Sequence, residues 1–331
     1  MLQLHNKTPF AASSVLLPSE AGIDTLYIMV KASFNINEQW TLADEQPPPT
    51  EADEYWGEPE DSSIKYPSDC HTGKPSSDII MLGHAFTPDK KERRQMDVSL
   101  SVGQVNKTVR IFGDRHWQDG RITPPQPFRS MAMRYENAYG GTHNRDEQII
   151  AAEVRNPLGC GFLGERKTTE MNGSPLPNLE DPKALINNLK QQPTPACFAA
   201  SAPHWLPRAD FAGTYDKQWK AQRIPYIPTD FNPRFFNMAH ADLIYPGFLE
   251  GGEPVEITHM HPLKPQLTFT LPVVKLRANA IVAGTLRNAE FNLETVIIEP
   301  NRLKLSMLWR AAVPCNKAAL KISDITLNTT R

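Results

Sequence analysis

Thr25-Leu26-Tyr27-Ile28-Met29-Val30-Lys31-Ala32-Ser33-Phe34-Asn35-Ile36 is the stretch on which the reading of the fold turns. Leu26, Ile28, Val30, Ala32, Phe34 and Ile36 share one parity, and Lys31, Ser33 and Asn35 take the other. Successive side chains of an extended chain point to opposite faces, so the pattern predicts a β-strand with one buried face.

The same grammar returns elsewhere. Val98, Leu100 and Val102, then Gly103-Gln104, then Val109 and Ile111 read as a hairpin. In the last third, period two marks Leu267, Phe269 and Leu271; Val274, Leu276 and Ala278; Phe291, Leu293 and Ile297; and Leu303, Leu305, Met307 and Trp309. Glu299-Pro300-Asn301 lies between the last two runs, where Pro presets φ and Asn tolerates a turn. Residues 291–298 and 303–313 are therefore expected to pair antiparallel.

Between the early blocks, Pro47-Pro48-Pro49 runs into Glu51, Asp53, Glu54, Glu58, Glu60 and Asp61, a composition that reads as a solvated loop. Residues 118–265 differ again, with Pro, Gly and Asn recurring every few positions. Two short helices are expected there. One starts at Asp181-Pro182 and runs to Gln192, with Asp as N-cap and Leu185, Ile186 and Leu189 as its stripe; the other spans Tyr215 to Arg223. The expected fold is mainly β: antiparallel sheets packed as a sandwich or as two β lobes, with long irregular loops and one or two short helices. Residues 1–331 form a single β domain, or two lobes at about 1–117 and 266–331 joined by the irregular middle at about 118–265.

Composition narrows the function classes. The 331 residues include 30 prolines against 18 glycines, and 35 Lys plus Arg against 37 Asp plus Glu leave a formal charge of -2. No cationic excess exists to neutralise a phosphate backbone or an anionic bilayer, so neither nucleic acid nor membrane is expected as a partner. Cys70, Cys160, Cys197 and Cys315 form no CxxC pair, and Met1 to Lys7 carries no signal-peptide pattern. Free thiols in the cytoplasm are the expectation.

Motifs with chemical meaning are incomplete. Gly159-Cys160-Gly161-Phe162-Leu163-Gly164 matches GxGxxG, but no strand leads in and no helix follows, so it reads as a tight glycine turn and no cofactor is assigned. His259 and His261, with His240, Glu253 and Glu256, fall short of a zinc ligand set, and no metal is assigned. There is no Gly-x-Ser-x-Gly elbow and no catalytic residue is assigned; the carboxylate pairs Glu250 with Glu253 and Asp230 with Asp242 are the one opening for glycoside chemistry. What stands out is aromatic residues interleaved with arginines through the irregular middle. Trp117, Arg134, Tyr135, Tyr139, Trp205, Trp219, Phe231 and Arg234 are the candidates for a protein-binding face, since Trp, Tyr and Arg are the usual interface anchors. A core role under long loops is the competing reading.

Several words then occur in a telling order: Gly113-Asp114-Arg115-His116-Trp117, Tyr135-Glu136-Asn137-Ala138-Tyr139-Gly140-Gly141, Asn156-Pro157-Leu158-Gly159-Cys160-Gly161, Pro228-Thr229-Asp230-Phe231-Asn232, Gly251-Gly252-Glu253-Pro254 and Leu308-Trp309-Arg310. Together they resemble the domain of unknown function 2169 (DUF2169) family. The resemblance implies a cytoplasmic adaptor or chaperone that holds a cognate type VI secretion effector and helps load it on the spike, with a spike or PAAR-type spike-tip protein as second partner. It implies no catalytic residues and no cofactor. A carbohydrate-binding or carbohydrate-hydrolysing β protein is the alternative, motivated by the aromatic loops and carboxylates.

Overall fold

The computed structural model describes residues 3–37 and 40–330. Its largest sheet sets Ala11–Pro18, Asp24–Asn35, Lys304–Pro314, Asn292–Glu299 and Asp78–Met81 side by side. Asp24–Asn35 and Lys304–Pro314 are direct antiparallel neighbours, from Asn35 opposite Lys304 to Thr25 opposite Pro314. Strands from early and late in the chain thus share one sheet. Asn292–Glu299 and Lys304–Pro314 pair antiparallel as expected, and Asp78–Met81 adds to the first of these in parallel.

A five-stranded sheet carries the expected hairpin, Gln95–Val102 with Val105–Phe112, flanked by Leu179–Glu180 on one side and by Pro254–Thr258 and Gln266–Thr270 on the other. Gly103, at φ +56°, supplies the positive φ that a two-residue turn needs at its first position. A four-stranded sheet orders Leu4–Asn6, Ile322–Thr329, Leu276–Val282 and Thr285–Ala289. One apolar cluster joins all three sheets. It includes Leu26, Ile28, Val30, Ala32 and Phe34, the partners Val313, Ala311, Trp309, Met307 and Leu305 opposite them, Val98 and Leu100 of the hairpin, and Ala278 and Ile325.

The strand Asp24–Asn35 departs from expectation in being buried on both faces, with Tyr27, Met29, Lys31 and Ser33 covered as well. The covering segment is the proline-rich and acidic one. It orders as a small hairpin, Glu54–Tyr55 with Ile64–Tyr66, and then runs across the sheet, while Glu51, Glu54, Glu58, Glu60 and Asp61 stay exposed. Ile64, with Tyr55 and Tyr66 beside it, anchors the hairpin in the main apolar cluster, and buried charge pairs add to this. Lys31 Nζ donates to Asp69 Oδ2 at 3.0 Å and Arg310 Nε to Glu294 Oε2 at 2.7 Å. Lys74 Nζ donates to Asp78 Oδ2 at 2.6 Å, with both side chains fully buried. Buried charges persist only when paired and hydrogen-bonded, which is how a lysine parity can face inward.

The expected helix from Asp181 is absent. Asp181 instead accepts from the Lys183 amide at 2.8 Å, and the Ile186 amide donates to the buried carboxylate of Glu180 at 2.7 Å. Side-chain acceptors have taken the amides a helix would use, while Ile186 and Leu189 pack in a second apolar cluster with Trp117, Tyr139, Met171 and Leu176. The other expected helix forms over Lys217–Gln222, where Asp216 caps the Trp219 amide at 2.7 Å.

Candidate functional site

Two short 3-10 turns, Arg208–Phe211 and Pro233–Phe236, pack against each other and carry guanidinium groups to the mouth of a cleft of about 580 Å³. The apolar walls include Leu206, Pro207, Phe211, Ile244, Tyr245 and Pro246, and Arg155, Arg208 and Arg234 all line it. No Asp or Glu does.

Each cation is held differently. Arg155 is clamped by Glu153 through two bonds of 2.6 Å, Nε to Oε1 and Nη2 to Oε2. Arg208 is buried, donates from Nε to the Phe235 carbonyl at 3.0 Å and from Nη1 to the Ser201 carbonyl, and makes no ion pair among the described residues. Burial pulls its pKa below the usual arginine value, opposed by the fields of Asp53 and Asp78. The group nonetheless stays protonated, because arginine does not lose its charge in proteins. Arg234 is exposed, with its guanidinium 5.9 Å from the centre of the Phe211 ring. His240 completes the rim. Desolvation by burial and then the nearby Lys107 ammonium hold its pKa down at about 4, outweighing the Asp242 carboxylate 3.4 Å away, so the ring is neutral at pH 7.

The floor of the cleft is pinned to the buried charge network. Asp78 Oδ1 accepts from Asn237 Nδ2 at 2.9 Å and Oδ2 from the Met238 amide at 2.8 Å, so the segment carrying Arg234 is tied to the main sheet. A cleft lined by loops but anchored on a strand is a preorganised binding surface.

The eight residues singled out by sequence divide into two groups. Trp117 and Tyr139 are buried in the second apolar cluster, and Tyr135 and Trp205 are buried in the main one, their rings edge to face at 5.2 Å. Of these four core residues only Tyr135 touches the cleft. Arg134 lies over the Trp56 ring at 3.8 Å, and Trp219 sits on the short helix against Tyr215 at 4.6 Å. Phe231 packs on Phe235 and Phe236, directly behind Arg234, and Arg234 itself reaches the cleft. Sequence reasoning missed Arg208 and Arg155 as members; the interleaving of arginines with aromatics is the available signal.

Three of the four paired carboxylates, Glu253, Asp230 and Asp242, are held by other groups. Glu253 accepts from the amides of Glu250 and Gly251, Asp230 from the amide and hydroxyl of Thr214, and Asp242 from Lys107. His259 Nδ1 lies 3.1 Å from the Asp97 carbonyl, and His261 accepts from the amides of Leu263 and Lys264. The glycine-rich word closes a turn: Cys160–Gly161 pairs with Tyr139–Gly140, and Gly141, at φ +114°, passes so near that a Cβ would stand 2.7 Å from the Gly159 carbonyl oxygen. Asn156, fully buried, ties this turn together by donating to the Tyr135 and Tyr139 carbonyls.

These features define a β-rich protein with an apolar cleft lined, among the described residues, by three arginines and no carboxylate. The chain belongs to the DUF2169 family, described as an uncharacterized protein conserved in bacteria, whose model matches residues 21–310. No curated protein and no solved structure matches it. The ordered words that carried the resemblance fall within or beside the matched span, and several serve as locks between loops: Glu136 accepts from the Ser63 amide and hydroxyl, and Arg310 joins the charge network of the main sheet. Among the described residues no helix is long and apolar enough to cross a membrane.

Proposed function

We propose that this protein is a non-catalytic adaptor or chaperone of the bacterial cytoplasm that binds a cognate type VI secretion effector and helps load it on the spike, contacting a spike or PAAR-type tip protein. The observation that carries the reading is the cleft, in which apolar walls and cationic groups are held rigidly on the main sheet. Such a lining supplies binding energy and orientation. Among the described residues that lining holds no cysteine, and its His240 is engaged with Lys107 and Asp242.

A loading factor must release its client, so the interface is expected to be standard in size, polar at its rim and wet. Deleting the gene in the native host tests the proposal. Effector abundance and delivery should fall together and return on complementation; unchanged abundance and delivery would remove the adaptor role.

A further inference from the structure

We infer that the cleft seats an extended segment of the partner protein in which a carboxylate is flanked by large apolar side chains, an inference that rests on the partner-binding reading above. Charge complementarity carries it. Burying a guanidinium without a counter-charge is costly, and proteins usually pair such a group with a carboxylate. Arg208 is buried at the cleft without a carboxylate partner among the described residues, and its Nη2 amino group makes no hydrogen bond there. The acids nearby are committed elsewhere: Asp53 accepts from the Ser68 amide, Glu153 is bonded to Arg155, and Asp78 to Lys74, Asn237 and Met238. Arg234 adds a second, exposed guanidinium on the same lining.

The rest of the occupant follows from the walls. Leu206, Phe211, Ile244 and Tyr245 present apolar surface beside the cations, so a bare inorganic anion would leave most of the cleft uncovered. The volume of about 580 Å³ lies inside the range of roughly 300–1,000 Å³ typical of sites that enclose a compact organic body. A few peptide residues fit that description. One carboxylate would take the free amino group of Arg208 and reach toward Arg234, and its neighbours would cover the phenyl and aliphatic walls.

Selection of phage-displayed random heptapeptides on the purified full chain tests this, followed by titration of one selected peptide and its Glu→Gln or Asp→Asn analogue by fluorescence anisotropy. Selected peptides should carry at least one acidic residue next to Leu, Ile, Phe or Trp. The amide analogue should bind roughly ten- to a hundred-fold more weakly, the range for loss of a charge-assisted hydrogen bond. The variant Arg234→Gln, exposed and without a structural ion pair, should weaken the acidic peptide and leave the amide analogue unchanged. Selected peptides without carboxylates, or equal binding by wild type and Arg234→Gln, would overturn the inference. Capture of the same host protein by both forms in equal yield would overturn the cleft as its seat while leaving partner binding intact. Peptide selection as described with no host protein captured would support the cleft and count against the adaptor reading.

Discussion

Lys74 and Asp78 meet at 2.6 Å with neither side chain exposed, and Asp78 also holds Asn237 and Met238 at the floor of the cleft. Removing one partner of a buried pair leaves the other charge uncompensated, at a cost of about 3–5 kcal/mol. Asp78→Asn should lower the free energy of unfolding by that order in urea titrations; a loss below about 1 kcal/mol, the scale of surface pairs, would contradict the network's importance. Histidine 240 gives a pH signature. Its folded pKa, about 4, lies below the ordinary 6.5, so between those values the unfolded chain binds the extra proton. Stability contributed by the neutral ring is therefore complete above pH 6.5 and declines as the pH falls toward 4, by on the order of 3 kcal/mol. His71, also pushed down by burial and then by Arg310, acts in the same direction, so the test is the difference between wild type and His240→Gln, which should show a shallower decline across that window. Thiol chemistry gives a third check. Cys70 is exposed, whereas burial raises the pKa values of Cys160, Cys197 and Cys315. A thiol reagent at pH 8 should modify one cysteine rapidly, and Cys70→Ser should abolish that phase; a second rapid thiol would contradict the packing around the others.

At the scale of elements, period-two patterning revealed the strands in which apolar residues dominate one parity, such as Asp24–Asn35 and Lys304–Pro314, and passed over Thr285–Ala289 and Ile322–Thr329, where none does. It could not reveal that Asp24–Asn35 is covered on its second face, because Lys31 and its neighbours look like solvent-facing residues until Thr50 and Asp69 arrive from a distant segment. The turn between the last two long strands shows the same limit. The positive φ falls on Leu303, at +51°, while Asn301 works through its side chain. Its Oδ1 accepts from the His84 amide at 2.6 Å, and its Nδ2 donates to the carbonyls of His84 and Met260. One amide thus fastens three segments. Asn301→Ala should cost about 1–3 kcal/mol through the backbone groups it strands, seen as a fall in the urea midpoint and faster hydrogen exchange at His84. Unchanged exchange at His84 would show that water replaces the side chain. The lost helix after Asp181 has a related cause, since Glu180 was legible as a carboxylate but its capture of the Ile186 amide required knowing where Arg115 would hold it, at 2.5 Å.

At the scale of the molecule, the mainly β architecture was legible, and so was the interleaving of arginines with aromatics through the irregular middle. Which of them reach a surface was not, because burial is decided by the sheets they pack on: Trp117, Tyr135, Tyr139 and Trp205 became core, and Arg234 met Arg155 and Arg208 from segments far apart in sequence. Family membership fixes kinship over residues 21–310, while the cleft supplies the physical argument for binding. The measurement that bears most directly on that argument is a pull-down of the tagged chain from its own host at physiological salt, with co-eluting proteins identified by mass spectrometry. The adaptor account predicts a secreted effector or a spike component enriched over a mock eluate, with less of it recovered by Arg234→Gln. An eluate from the wild-type chain that matches the mock control would contradict it.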